Sequence, residues 1–277
     1  MNTPATLNEL LVVTLAREFR NDEVGFTGLA TGAAAALFAT AIPLAAMQLA
    51  RRTHAPDLTV LLAGWIYNPD LARLDELPDA EFAEKLRDLP CESQSLDYPG
   101  SWPHRNGAIS FGFGSGVQVD ACGNINSVLV GDPARPKVRL VGSILLPEHF
   151  SQFGREYIMM PRHDQRTFVE QVDYVAGVGY PGGLEGRARL GLESGGPELV
   201  VTPKCIFDFD KVAGRMKVRS IHPGVTADEL RAATGFDLGD LSGVPHTAPP
   251  TERELEIIRR EIDPRSALLG YDMASAQ

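Results

Sequence analysis

Apolar and polar positions follow two rhythms along this chain, one helical and one of buried strands, and they interleave as in an α/β protein. Thr6 and Glu9 have the spacing of a capping box, in which hydroxyl and carboxylate satisfy each other's free backbone amides. They open an amphipathic helix to about Arg17. Glu23 to Thr27 reads as a short strand. The Gly28 to Gly32 turn then leads into an alanine-rich helix, and Pro43 marks the first turn of a second helix that ends near Arg52, before His54-Ala55-Pro56. Leu58 to Leu62 is a continuous apolar run bounded by Pro56 and Gly64, as a strand buried on both faces of a sheet requires, and the βαβ order implies parallel pairing.

From Pro69 to Trp102 the chain is acidic and weakly helical, with Asp79 to Leu86 the best helix. Strand character resumes over Ser110 to Val119. It recurs at Ser127 to Val130, Arg139 to Val141, Tyr157 to Met160, Phe168 to Val175, Leu199 to Thr202, Cys205 to Phe209 and Met216 to Ile221, too many strands for a helical protein. Capping boxes at Thr226/Glu229 and Thr251/Glu254 open helices over Ala227 to Ala233 and Glu252 to Ile262. No repeat, low-complexity tract or linker interrupts the pattern, so residues 1–277 read as a single domain.

Composition narrows the function classes. A net charge of −10, from 36 acidic and 26 basic residues, argues against a sequence-independent nucleic-acid binder, which needs a basic face. Cys91, Cys122 and Cys205 are odd in number and widely spaced, which suggests neither a disulfide framework nor a metal site and fits a reducing cytoplasm. The N-terminus carries no signal-peptide pattern. Val24 to Ala50 holds no charge and is long enough to span a bilayer, but nine of the eighteen residues from Ala33 to Ala50 are alanine, so the reading is of a chain without a membrane span.

Candidate chemistry is sparse. Gly64-Trp65-Ile66-Tyr67-Asn68-Pro69 follows a parallel strand, where open α/β sheets bind ligands; Trp65 and Tyr67 would wall a pocket with Asn68 as its polar handle, or the aromatics would merely cover core. Gly177-Val178-Gly179-Tyr180-Pro181-Gly182-Gly183 would let amides approach an anion or thioester oxygen, although a plain flexible loop is the stronger reading. Asp120 to Asn126 reads as a tight turn with Gly123 at positive φ. The six histidines, at 54, 104, 149, 163, 222 and 246, never adopt HxH or HxxxH spacing, so no metal site is expected. Glu148 and His149, beyond Pro147, form a possible acid/base pair or simply decorate a loop.

Several segments in order resemble the family I coenzyme A transferases, specifically β subunits of the glutaconate transferase type. They are Arg52 to Leu58, Gln118-Val119-Asp120 with Gly123 to Asn126, Asp132 to Arg139, Phe168 to Tyr174, Phe207-Asp208-Phe209, Ser220 to Thr226, and the ending from Pro250-Thr251 to Glu261-Ile262-Asp263-Pro264. The resemblance covers most of the chain. It implies an open, largely parallel sheet flanked by helices, the coenzyme A transferase (NagB/RpiA-like) fold. It also implies a homologous α subunit, an α2β2 assembly, an acyl-CoA substrate and no cofactor beyond the coenzyme A of that substrate. In such transferases a β-subunit glutamate attacks the acyl-CoA carbonyl, dividing one hard acyl transfer into easier steps.

Here the chain departs from the family. Leu62-Ala63-Gly64 aligns with the family's Glu-Ser-Gly, so Leu62 replaces the nucleophile, and leucine neither attacks a thioester nor holds a proton. The family's turn of small residues reads Gly142-Ser143-Ile144-Leu145-Leu146-Pro147-Glu148-His149 here. A subgroup that lacks the glutamate opens a ring of a CoA thioester hydrolytically in steroid catabolism, with an α-subunit glutamate as base, and Phe168 to Pro264 resembles its β subunit too. The expectation is a ring-opening hydrolase subunit whose binding residues are Gly64, Trp65, Tyr67, Asn68, Gly177 and Gly179, with Glu148 a weak catalytic candidate. A transferase with a relocated nucleophile and a non-catalytic structural subunit are the alternatives.

Overall fold

The computed structural model describes residues 4–30, 32–78, 80–95, 108–192 and 195–270; Trp102 and His104 lie outside them. The chain packs as two compact units, 1–113 with 248–277 and 114–247, although no linker in the sequence marks a boundary.

The first unit runs through α1 (Leu7–Ala16), β1 (Val24–Thr27), α2 (Ala33–Ala36), α3 (Ile42–Thr53), β2 (Thr59–Leu62), β3 (Ile66–Pro69), α4 (Glu84–Arg87), β4 (Cys91–Gln94) and β5 (Phe111–Gly114). The first capping box forms as read: Thr6 Oγ1 accepts from the Glu9 amide and Glu9 accepts from the Thr6 amide. β1 pairs in parallel with β2 on one side and β5 on the other, while β3 and β4 add antiparallel strands beyond β2. The two helices expected between β1 and β2 are joined by a π turn over Leu37–Ala41, with Pro43 in the first turn of α3. By length and composition this helix would cross a membrane, yet its most apolar stretch is 78% buried inside the protein, where small alanines let α1 approach closely.

The helix expected from Asp79 shrinks to the single turn α4, and Asp79 itself lies outside the described residues. The Glu81 carbonyl, which a helix would reserve for the Lys85 amide, accepts instead from the Trp65 indole at 3.0 Å. The unit is completed by the C-terminal helix Glu252–Ile257, extended by a π turn to Ile262, with Ile257, Ile258 and Ile262 buried. Arg259 grips Glu9 with two bonds of 2.6 and 2.9 Å, and Arg17 grips Glu254 with two of 3.1 and 2.8 Å. Burial alone would raise the Glu9 carboxyl, but the bonds from Arg259 and Thr6 outweigh it and hold the group below its ordinary range.

The second unit contains β6 (Gln118–Asp120), β7 (Ile125–Asn126), β8 (Leu129–Val130), β9 (Val138–Arg139), α5 (Leu146–Gln152), β10 (Arg155–Met159), β11 (Phe168–Val169), α6 (Gly183–Arg189), β12 (Pro197–Val201), β13 (Cys205–Asp210), β14 (Arg215–Ile221) and α7 (Ala227–Ala233). β10 and β12 are parallel, and the β13–β14 hairpin extends them antiparallel. The strand expected over Phe168 to Val175 pairs only at its first two residues, because Asp173 turns away to accept from the Gly131 amide and the Gln118 side chain. The Asp120–Asn126 turn forms as read, with Gly123 at φ +78° and Asp120 accepting from the amides of Cys122 and Asn124. The architecture is thus a mixed, largely parallel α/β fold whose sheets are flanked by helices.

Candidate active site

In the first unit the chain leaves β1 for β2 and later returns to β1's other side as β5, with all three strands parallel. The carboxyl end of β1 is therefore a topological switch point, where a crevice forms in open α/β sheets. Thr27 is in register with Leu62, and the Ala63 amide donates to Thr27 O at 2.9 Å. Leu62 ends its strand with its side chain buried. The chain then reverses at Ala63 (φ +54°) and Gly64 (φ +78°), closed by the Trp65 amide on Leu62 O, and runs back as β3. Mirror-image hairpin turns need positive φ at both central residues; Gly64 adopts it freely, while Ala63 strains by about 1 kcal/mol or more. The loop anticipated over Gly64 to Pro69 is therefore a hairpin strand.

The side chains of that hairpin are engaged within the unit. Trp65 is buried and donates its indole N–H to Glu81 O. Asn68, at φ +50°, accepts at Oδ1 from Arg51 Nη1 (2.9 Å) and from the Val60 amide (2.8 Å), and donates from Nδ2 to the Glu92 carboxylate. Tyr67 is half-buried beside it. The loop after β1 is fixed from the π turn: Thr40 Oγ1 donates to Gly28 O and accepts from the Ala30 amide, and Thr27 Oγ1 donates to Ala39 O. Against Gly28 stands a carboxylate that sequence reasoning missed. A Cβ at Gly28 would lie 3.3 Å from Glu81 Oε1. Glu81 sits in an acidic, weakly patterned stretch that gives it no local signal.

Gly177 and Gly179, in the second unit, pack against the Asp120–Asn126 turn. The Gly177 amide donates to Ile125 O and the Gly179 amide to Asn124 Oδ1, so both donors are engaged inside the fold. His149 on α5 pairs with Glu156 on β10, not with its neighbour Glu148: Nδ1 lies 3.1 Å from Glu156 Oε1. Consecutive helical residues point in different directions, which separates 148 from 149. Glu156 Oε2 and Glu148 Oε2 are buried without hydrogen-bond partners among the described residues. A charged residue opening the apolar run Tyr157 to Met160 was the one available signal for Glu156.

Burial raises the Glu156 carboxyl despite the charge and hydrogen bond of His149. A raised carboxyl binds its proton more tightly folded than unfolded. Its contribution is therefore complete in acid and is lost as pH climbs from the ordinary carboxylate range through the raised value. Urea unfolding across this range should show wild type losing stability relative to Glu156→Gln as pH rises. Parallel pH curves would defeat the assignment.

Cys205 and His163 approach at 3.9 Å, but not as a nucleophilic pair. Burial pushes the thiol up and the imidazole down to about 3, so both are neutral, the opposite of a thiolate beside an imidazolium.

No protein-family model matches the chain. It is similar to the B-type subunit of the 3-oxoadipate CoA-transferase of Pseudomonas knackmussii, at 33% identity over 256 residues and 91% of each chain. It is similar to the B-type subunit of the glutaconate CoA-transferase of Acidaminococcus fermentans, at 30% identity over 96% of each chain. The crystal structure of that organism's glutaconate coenzyme A-transferase superposes with a TM-score of 0.77, covering 97% of this chain and 98% of the other. The cholesterol ring-cleaving hydrolase IpdB subunit of Mycobacterium tuberculosis is 31% identical over 71% of this chain and 82% of its own length. With relatives of this identity and coverage, and with the same fold, the chain belongs to the family I coenzyme A transferases as a β-type subunit.

Proposed function

We propose that this chain is the β subunit of a two-subunit, α2β2 enzyme that opens a ring of a cyclic CoA thioester by hydrolysis, with the base donated by a homologous α subunit. Leu62 carries the reading. At the position aligned with the family nucleophile stands a buried hydrocarbon side chain at the end of a parallel strand. A carboxylate nucleophile there would form the acyl anhydride of a transferase; leucine leaves water as the attacking group. The similarity to a subunit of a cholesterol ring-cleaving hydrolase supports this direction. Gly64, Trp65 and Tyr67 would shape the pocket wall from this chain, and no cofactor is called for beyond coenzyme A in the substrate.

The test is reconstitution with the α subunit. The αβ enzyme should consume a cyclic 3-oxoacyl-CoA and release a ring-opened acyl-CoA with no carboxylic acid acceptor present. Strict dependence on an acceptor acid would sink the reading. A second reading, CoA transfer through a relocated carboxylate, draws on the 33% identity to a 3-oxoadipate CoA-transferase subunit. Borohydride or hydroxylamine trapping of an enzyme-bound CoA thioester is its distinguishing result.

A further inference from the structure

We infer that Glu81 is the carboxylate this chain itself contributes to the reaction, returning the proton to the carbon released by ring opening. The inference rests on the hydrolytic reading of the enzyme and adds a residue to it.

Position is the first argument. Gly28 directly follows Thr27, which is in register with Leu62, and the Ala63 amide bonds to Thr27 O. Parallel strands lie about 4.8 Å apart, so a group resting on Gly28 is within a side chain's reach of the Leu62–Ala63 backbone. Glu81 Oε1 is that group, 3.3 Å from where a Gly28 Cβ would stand. The approach depends on residue 28 having no side chain.

Fixation is the second argument. The turn carrying Glu81 is closed by the Ala83 amide on Ala80 O at 3.1 Å, and the Glu81 carbonyl is tied to the buried Trp65 indole. Trp65 belongs to the hairpin that begins at Leu62. The floor beneath the carboxylate is held in turn by Thr40, which bonds both Gly28 O and the Ala30 amide. A residue whose backbone is tied down beside a fixed strand-end loop presents its carboxylate from a defined position, as proton transfer to a bound substrate needs.

The chemistry has room for a second proton-handling group. The α-subunit base takes a proton from water, and hydroxide adds to the ring carbonyl. The carbon–carbon bond breaks with its electron pair moving to the carbon beside the thioester, which must then be protonated. Glu81 donates that proton and regains one from solvent, while the base releases its own to solvent. One water is consumed and nothing is oxidised or reduced.

The αβ enzyme carrying Glu81→Gln should lose about 10²- to 10⁴-fold in kcat, with KM within about threefold of wild type. Glu81→Asp should recover part of the rate. Gly28→Ala, which presses a methyl toward Oε1, should lower kcat while leaving the melting temperature near wild type. If wild type hydrolyses without an acceptor and folded Glu81→Gln matches it within about threefold, this inference alone falls. If wild type needs an acceptor acid, the hydrolytic reading falls and takes this role for Glu81 with it.

Discussion

Gly179→Ala should lower the unfolding free energy by about 3 kcal/mol or more, the upper end of what overpacking costs, because the methyl group meets backbone. A Cβ at Gly179 would stand 2.1 Å from Cys122 O and 2.5 Å from the Gly123 carbonyl carbon, and neither atom is the end of a flexible side chain. Both also serve the turn they belong to, since Cys122 O accepts from the Tyr180 amide at 2.7 Å and Gly123 holds positive φ. Moving them breaks the contact between the Asp120–Asn126 turn and the segment that follows Ala176. Gly243→Ala is the matched control: no atom lies within 4 Å of its Cβ position, and the change should stay within about 0.5 kcal/mol of wild type. Urea midpoints of the two variants measure the difference. Equal midpoints would mean that the turn yields to the methyl group.

The second large effect belongs to His163. Its ring is stacked on Phe168 at 3.9 Å, with Nδ1 on Thr202 Oγ1 and Nε2 on Thr234 Oγ1. Burial, with the charge of Lys204 and the nearby His222, depresses it to about 3 against a weaker opposing pull from Asp164. An imidazole that is harder to protonate folded than unfolded contributes stability above its unfolded value, 6.5, and loses it as pH falls toward 3. The loss is about 1.4 kcal/mol per pH unit, on the order of 4–5 kcal/mol across the window, a large part of a typical domain's stability. The His163 ring proton resonance should stay flat from about pH 8 to 4.5 while unfolding free energy declines below the unfolded value of 6.5, and His163→Gln should flatten that decline. A resonance titrating near 6.5 would contradict the account.

Features set by a few adjacent residues were readable in advance. The three Thr/Glu capping boxes, the strand ending at Leu62 and the turn around Gly123 all formed where their residues stand. Each is a local bargain between a side chain and backbone amides, or an unbroken apolar run, and neither needs distant partners to be recognised. What escaped was decided at a distance. Ala63 gives no hint of positive φ; only the return of β3 against β2 imposes it. The helix anticipated from Asp79 loses its first turns to an indole sixteen residues earlier. For the same reason Glu81 looked like one more acid in an acidic stretch, and His149 was matched with the carboxylate beside it in sequence rather than the one across from it in space. The Leu62 substitution was visible from the start, but what stands around it was not.

The first unit is built from both ends of the chain, with the C-terminal segment from Ala248 packed together with the segment that ends at Phe113. On the ribosome, α1 emerges early and then waits for the helix from Glu252 to Ile262, since among the described residues Glu9 and Arg17 pair ionically with Arg259 and Glu254. The intervening unit is contiguous in sequence, so all of its residues are synthesised before that helix. Translation that stops before Glu252 would thus release a chain that carries every residue of the second unit and lacks the helix that completes the first. A prematurely terminated product would fail at the very unit that was synthesised first.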